Sequence, residues 1–489
     1  MHALTLHPDR CFDPDREVRR VARELFENVR DLPLVCPHGH VDPRLLALNE
    51  PFPEPTSLII TPDHYIFRML YSQGIRLEEL GIPTVDDTIV EQHPRRIWKI
   101  FGEHYHLFDG TPTRAWLDYE FYHVFGIRTK LDGESANRIY DEILEKLRSP
   151  EFLPRALFDQ FRIEVLTTTD AAADSLEYHK EIRDSDWHGN VIPCFRPDAV
   201  LKIATDNWRS ELTRLEIATG MSISTFPDFL SALENRRAFF KVAGAVSTDH
   251  AVVEPYTKRL SAGEVESVFE AALTGNADAS DQRRFEAHML IEMARMSVED
   301  ELVMQIHPGA FRDHNREIRA RFGPDKGADI PLRTEYTQNL HELLNLYGND
   351  PRFRLVVFTL DESTYSRELA PLAGHYPAMR LGPAWWFFDS IEGMRRYRQL
   401  TIETAGIRNT AGFNDDTRAF LSIPARHDLS RRVDANYVAG LVASHQIDMQ
   451  DAERMVRAMA YDLARETYRL GASTSRDAAA TPILEDRRP

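Results

Sequence analysis

Cysteine is scarce: three residues in 489, Cys11, Cys36 and Cys194, odd in number and far apart. That count fits no disulfide framework, and a reducing cytoplasm is the expected location. Long apolar runs are missing too, since nothing approaches the roughly 18–20 residues of a membrane span. The start, Met1-His2-Ala3-Leu4-Thr5-Leu6-His7-Pro8, lacks the basic and apolar stretches of a secretory leader. Positive charge is in deficit, with 59 Lys and Arg against 77 Asp and Glu, a net of −18. Such a surface argues against nucleic acid or membrane as partner. It would also repel a small acidic substrate unless cations gather in the pocket. No GxGxxG or Walker A loop, GxSxG elbow or CxxC pair occurs.

What is present is an ordinary globular balance, 43% hydrophobic and 28% charged, at a length that suits two or three domains or one large barrel. Short apolar runs recur, each ending in polar residues or glycine. They lie at 32–35, 163–166, 191–192, 239–246, 302–306, 355–360, 380–382 and 411–413. Most are followed by helical periodicity, as at 175–183, 335–347, 391–405 and 434–444, and 449–469 reads as a long amphipathic helix. About eight such units predict an α/β fold, a (β/α)8 TIM barrel. The gap between the first and second runs is far too long for a loop. It is read as a helical insertion on the catalytic rim, giving residues 1–74 as an N-terminal segment with the first strand and 75–161 as the insertion. Residues 162–470 would be the rest of the barrel with its C-terminal helices, and 471–489, rich in Ala, Ser, Thr and charge, a mobile tail.

Chemistry-bearing residues cluster at the ends of those runs. His38-Gly39-His40 closes the first, and side chains two apart on a strand share a face, so both imidazoles can reach one cation. Gly39 keeps the position between them small. A barrel gathers ligands at its C-terminal end, and Asp416, Asp249-His250 and His307 each sit at such an end. Singly, each is more often a hydrogen-bonded polar residue or a helix cap. Lys241 falls at the N-terminal end of the fourth run, so no lysine bridges two metals and one ion is expected. Arg196, Arg312 and Arg418 each follow a run by a few residues, and guanidinium forks suit a carboxylate. Trp385-Trp386 could floor a sugar site, although paired tryptophans more often pack. Asp63-His64-Tyr65 adds two groups capable of proton transfer.

Taken in order, Pro37-His38-Gly39-His40, Asp63-His64-Tyr65, Phe195-Arg196-Pro197-Asp198, Asp249-His250, Gln305-Ile306-His307, Gly382-Pro383-Ala384-Trp385-Trp386 and Asp416-Thr417-Arg418 resemble the uronate (glucuronate) isomerase family of the amidohydrolase superfamily. The resemblance spans nearly the whole chain. It implies a TIM barrel with one divalent metal, usually zinc, and interconversion of D-glucuronate with D-fructuronate and of D-galacturonate with D-tagaturonate. Carried over by position, it implies His38, His40 and Asp416 as metal ligands. It implies His64, Tyr65, Arg196, Arg312, Arg418, Trp385 and Trp386 as substrate contacts, and Asp249, His250 and His307 are expected beside them. Asn414-Asp415-Asp416-Thr417-Arg418 departs from the family's Thr-Asp-Ser-Arg pattern and leaves Asp415 and Asp416 as rival registers.

Moving a proton from C2 to C1 needs a base beside C2 and stabilisation of an enediolate. Asp416 is the expected base, with His64 and Tyr65 serving the oxygens. The expected partner is a small hexuronate, and a homo-oligomer is compatible with the sequence. Two rival readings share the residues: a mononuclear metal-dependent hydrolase of the same superfamily, and a non-catalytic sugar-acid binder.

Overall fold

Aliphatic and β-branched runs flanked by proline and glycine become parallel strands in the computed structural model, which describes residues 2–471. In chain order they are β1 (Leu34–Cys36), β2 (Ile163–Thr167), β3 (Asp170–Ala171), β4 (Val191–Ile192), β5 (Phe195–Arg196), β6 (Ser247–Val252), β7 (Val303–Pro308), β8 (Ala310–Phe311), β9 (Ile330–Pro331), β10 (Leu355–Val357) and β11 (Met379–Leu381). One sheet runs β1-β2-β4 and a second β11-β10-β7-β6-β5-β3, while β8 and β9 form a small antiparallel pair. Every pairing in the two larger sheets is parallel. The sheets are two stretches of one progression. β2 leads into β3 and β4 into β5, and the Thr168 and Asp170 amides donate to the Ile192 and Cys194 carbonyls, each at 3.0 Å. Parallel strands buried on both faces read as continuous apolar runs, and β7 is buried along its length.

Two elements differ from the sequence reading. The first half of the expected fourth strand at 239–246 is the end of the helix Phe226–Val242, the second half is the turn that follows, and the strand is β6, one step later. Phe240 is buried while Phe239 and Val242 are exposed, which is a helix face and not a strand alternation. Lys241 accordingly lies on that helix. The eighth run, 411–413, meets β11 through a Leu381–Thr410 bridge and an Ala411 amide bond to the Leu381 carbonyl at 2.8 Å, short of a full strand.

Between β1 and β2 the chain is helical, including His64–Ser72, Pro94–Glu103, Pro112–Tyr119 and Ala136–Lys146. Proline opens several of these helices, where its missing N–H costs nothing. Their apolar faces share one core with the first strands: Trp98, Phe101, Phe121 and Ile139 belong to the same cluster as Leu34, Cys36, Ile163 and Leu166. Each such side chain, fully buried, contributes roughly 1.5–3 kcal/mol. The C-terminal amphipathic run forms Met449–Arg457, a π turn at Ala458–Asp462 and Leu463–Thr467. Among the described residues no helix is long and apolar enough to cross a membrane. The tail expected at 471–489 lies, beyond Gly471, outside the described residues.

Candidate active site

His38 and His40 leave β1 with their rings 5.2 Å apart and nearly perpendicular. The carboxylate that meets them is Asp416, whose Oδ1 lies 3.1 Å from His40 Nε2 and 3.5 Å from His38 Nε2. Asp415 turns its side chain elsewhere, toward His427, so that of the two aspartates it is Asp416 that meets His38 and His40. Asp416 holds φ at +37°, in the left-handed region that only surrounding structure sustains in a non-glycine residue. The His40 amide bonds the Thr417 carbonyl at 3.0 Å and so ties the first strand's loop to the last. Gly39 is less demanding than the sequence reading held. A Cβ there would meet Asp415 Oδ1 and the Thr167 carbonyl at 3.5 Å, an ordinary contact.

From β7, His307 stacks on His38 at 4.7 Å and on Phe358 at 3.9 Å. His38, His307 and Asp416 each offer one donor atom, all within 4.8 Å of one another, and Cys36, Asp415 and His427 do the same. Burial pushes the His38 imidazole down to about 4, so it is neutral at physiological pH. Burial also acts to raise the Asp416 carboxyl, but His38 and His40 outweigh it and hold it well below the usual carboxylate range. Among the described residues His307 Nε2 is buried with no hydrogen-bond partner. Imidazole nitrogens, an anionic oxygen and one orphaned nitrogen fit a divalent cation.

Asp249 on β6 supports this floor. Its Oδ1 lies 2.6 Å from His307 Nδ1 and its Oδ2 3.4 Å from the Arg196 guanidinium, whose Nε donates to Asp198 at 2.7 Å. Burial works against the Asp249 charge, yet His307 and Arg196 keep the carboxyl well below its ordinary range. An ionised Asp249 assigns the proton to His307 Nδ1 and leaves Nε2 as the free donor atom. The adjacent His250 is a different matter. It is fully buried outside the cavity, with Nε2 3.1 Å from Thr248 Oγ1, because neighbouring residues on a strand face opposite ways. Its expected place among the substrate contacts is corrected accordingly.

Above the floor is a cavity of about 480 Å³. His64 and Tyr65 begin a helix capped by the Asp63 side chain, which accepts from the Tyr65 amide. Burial pushes His64 down to about 4, and its Nε2 lies 2.9 Å from the Arg418 guanidinium. Burial raises the Tyr65 phenol, so its O–H stays protonated and able to donate. Arg312 pairs with Asp329 at 2.7 Å and lies 5.1 Å above the Trp386 ring, while Trp385 packs edge-on against His307 at 4.8 Å. Arg418 also pairs with Asp325 at 2.7 Å.

Sequence reasoning missed Asp325, Asp329 and Arg426, all in the cavity wall. The first two lie in a loop and Arg426 on the helix Ile423–Ala443, so a search of strand ends passes over them. Arg426 lies 3.7 Å over Trp116 and 5.4 Å over Tyr65, and its cluster of aromatic neighbours is visible only in space. Residues 75–161 contribute no cavity-lining side chain; their role at the site is to back Tyr65 through Trp116, edge-on at 5.5 Å.

The chain is similar to known proteins along nearly its whole length. A family profile described as glucuronate isomerase matches residues 17–468. A uronate isomerase of Nostoc punctiforme is 54% identical over 466 residues, 95% of this chain and 98% of that protein. One of Brucella canis is 52% identical over 467 residues, 96% of this chain and all of that protein. The crystal structure of glucuronate isomerase from Caulobacter crescentus superposes with a TM-score of 0.94 at 46% identity, covering 99% of this chain and 100% of that one. A putative metal-dependent hydrolase from Lactobacillus casei, 12% identical with a TM-score of 0.50 over 91% of this chain and 97% of that one, shares the fold alone. With two imidazoles and a carboxylate meeting at one cavity floor, and identity above one half along almost its full length, the chain belongs to the uronate isomerase family, a family of isomerases.

Proposed function

We propose that this isomerase interconverts D-glucuronate with D-fructuronate, and D-galacturonate with D-tagaturonate, by moving a proton between C2 and C1 through a cis-enediol. The observation that carries the reading is the Asp416 carboxylate, held against His38 and His40 at the floor of a cavity walled by Arg196, Arg312 and Arg418. We also infer that the strand progression closes into a (β/α)8 barrel, the 411–413 run completing it beside β1, with 75–161 as a helical insertion. The Ala411 bond to Leu381 and the His40 bond to Thr417 support that closure.

Asp416 Oδ1 faces both imidazoles, which leaves Oδ2 to take the C2 proton and return it at C1. Ionisation is what the task requires, and the neighbouring histidines maintain it. A divalent cation of the zinc class, held by His38, His40 and Asp416, would draw charge from the substrate oxygens. Tyr65 donates its phenol proton to a substrate oxygen, and neutral His64 accepts or returns a proton during ring opening. The C6 carboxylate is held by guanidinium groups, which exchange their aspartate partners for the substrate. Trp386 offers a flat face to the sugar's C–H surface.

NMR of the purified enzyme with D-glucuronate in D2O tests this. A ketose carrying solvent deuterium at C1 is expected, and Asp416→Asn should lower kcat by roughly 10²–10⁴. Full retention of the C2 hydrogen would overturn the proton route in favour of a hydride shift. Absence of any ketose from both uronates would overturn the substrate assignment.

A further inference from the structure

The two segments that carry His38 and Asp416 carry a second donor set that faces away from the cavity. Cys36 ends β1, Asp415 precedes Asp416, and His427 comes from the helix Ile423–Ala443. Their exposures are 0%, 1% and 2%, and none lines the active-site cavity. Cys36 Sγ lies 3.7 Å from His427 Nε2, and Asp415 Oδ2 lies 3.3 Å from the same nitrogen.

One ring nitrogen cannot serve both neighbours. With a proton it donates to Asp415, and the thiol then has only that same carboxylate to turn to. With a lone pair it accepts from the thiol and leaves Oδ2 without its donor. Asp415 Oδ1 is already buried with no partner among the described residues, and the nearby Arg426 reaches the Asp415 main-chain carbonyl, at 3.4 Å. A buried carboxylate so poorly met is costly, and a cation among the three donors removes the conflict. The spacing agrees. With zinc bonds of about 2.3 Å to sulfur and about 2.0–2.1 Å to nitrogen and oxygen, tetrahedral edges are about 3.6 Å for S···N and about 3.3 Å for N···O.

We propose that Cys36, Asp415 and His427 form a second, structural cation site, taking a thiolate-preferring divalent ion of the zinc class. Sulfur and imidazole donors disfavour magnesium and calcium. On binding, the Cys36 S–H bond breaks, a sulfur–metal bond forms and one proton leaves to solvent. The ion ties the end of β1 to the Asp415–Asp416 turn and to the C-terminal helix, and so braces the two segments that present His38 and Asp416. A cavity of about 210 Å³ with Leu34, His427 and Arg431 in its wall gives an approach separate from the active-site cavity.

Reconstitution of the chelated full-length chain with Co²⁺ tests the site independently of the sugar assignment. Metal analysis should find two cobalt ions per chain, with thiolate-to-cobalt charge-transfer absorption in the near ultraviolet. Cys36→Ser should retain one ion and lose that absorption, while Cys11→Ser and Cys194→Ser keep both. Absence of the thiolate band in the wild-type chain overturns the proposal whether or not Cys36→Ser folds, and so does a band that survives Cys36→Ser.

Discussion

The floor and the rim of the cavity are built from the same kinds of residue and behave differently. On the floor, His38, Asp249 and His307 come from strands or strand ends and are no more than 5% exposed. At the rim, the Arg312 and Arg418 side chains are 44% and 47% exposed, and Asp325 is 43% exposed. Floor groups sit in a low-dielectric interior where a neighbouring charge acts strongly and geometry is held by packing. Rim pairs are screened by water and separate readily. The floor therefore suits the bond-making step, and the rim suits capture and release of an anion.

Breaking the floor should do the most damage. Asp249→Asn removes the charge that orients His307, and kcat should fall about 10–100-fold with little change in KM, read by a steady-state assay. An equal rise in KM with unchanged kcat would move Asp249 from the floor's chemistry to binding.

Next in size is a pH effect at the boundary of the two regions. His64 binds a proton in the unfolded chain below about 6.5, whereas burial delays this in the folded protein to about 4. Between those values the unfolded state holds more protons, so stability rises with pH, by about 1.4 kcal/mol per unit at most. The contribution is fully present above 6.5 and lost as pH falls toward 4. His64→Gln should flatten that part of a denaturant-midpoint profile.

The rim gives the smallest expected change. Arg418→Met should raise KM by roughly fivefold, about 1 kcal/mol for one exposed charge-assisted contact. Asp325→Asn should lower KM slightly by freeing Arg418. If both variants raise KM alike, the pair acts as a unit and the exchange of carboxylates is wrong.

The floor was more legible than the rim. His38, His40, His307 and Asp416 stand where apolar runs stop, a signal carried by a few adjacent residues. His250 was misplaced because a motif names two neighbours while a strand turns only one of them inward. The fourth strand was misplaced because a short apolar run cannot distinguish a buried helix face from a strand.

The sequence by itself determined which chemical groups are available and near which strand ends they fall, because strand alternation and apolar periodicity are local. It equally set the acidic surface against which the arginines stand out. Tertiary structure alone decided that Asp416, with its left-handed backbone, faces the histidines while Asp415 faces Cys36 and His427. It alone brought Asp325 and Arg426 to the wall from a loop and a helix. Those choices rest on contacts between residues far apart in the chain, where packing and burial, and no neighbouring residue, settle the side chain's direction.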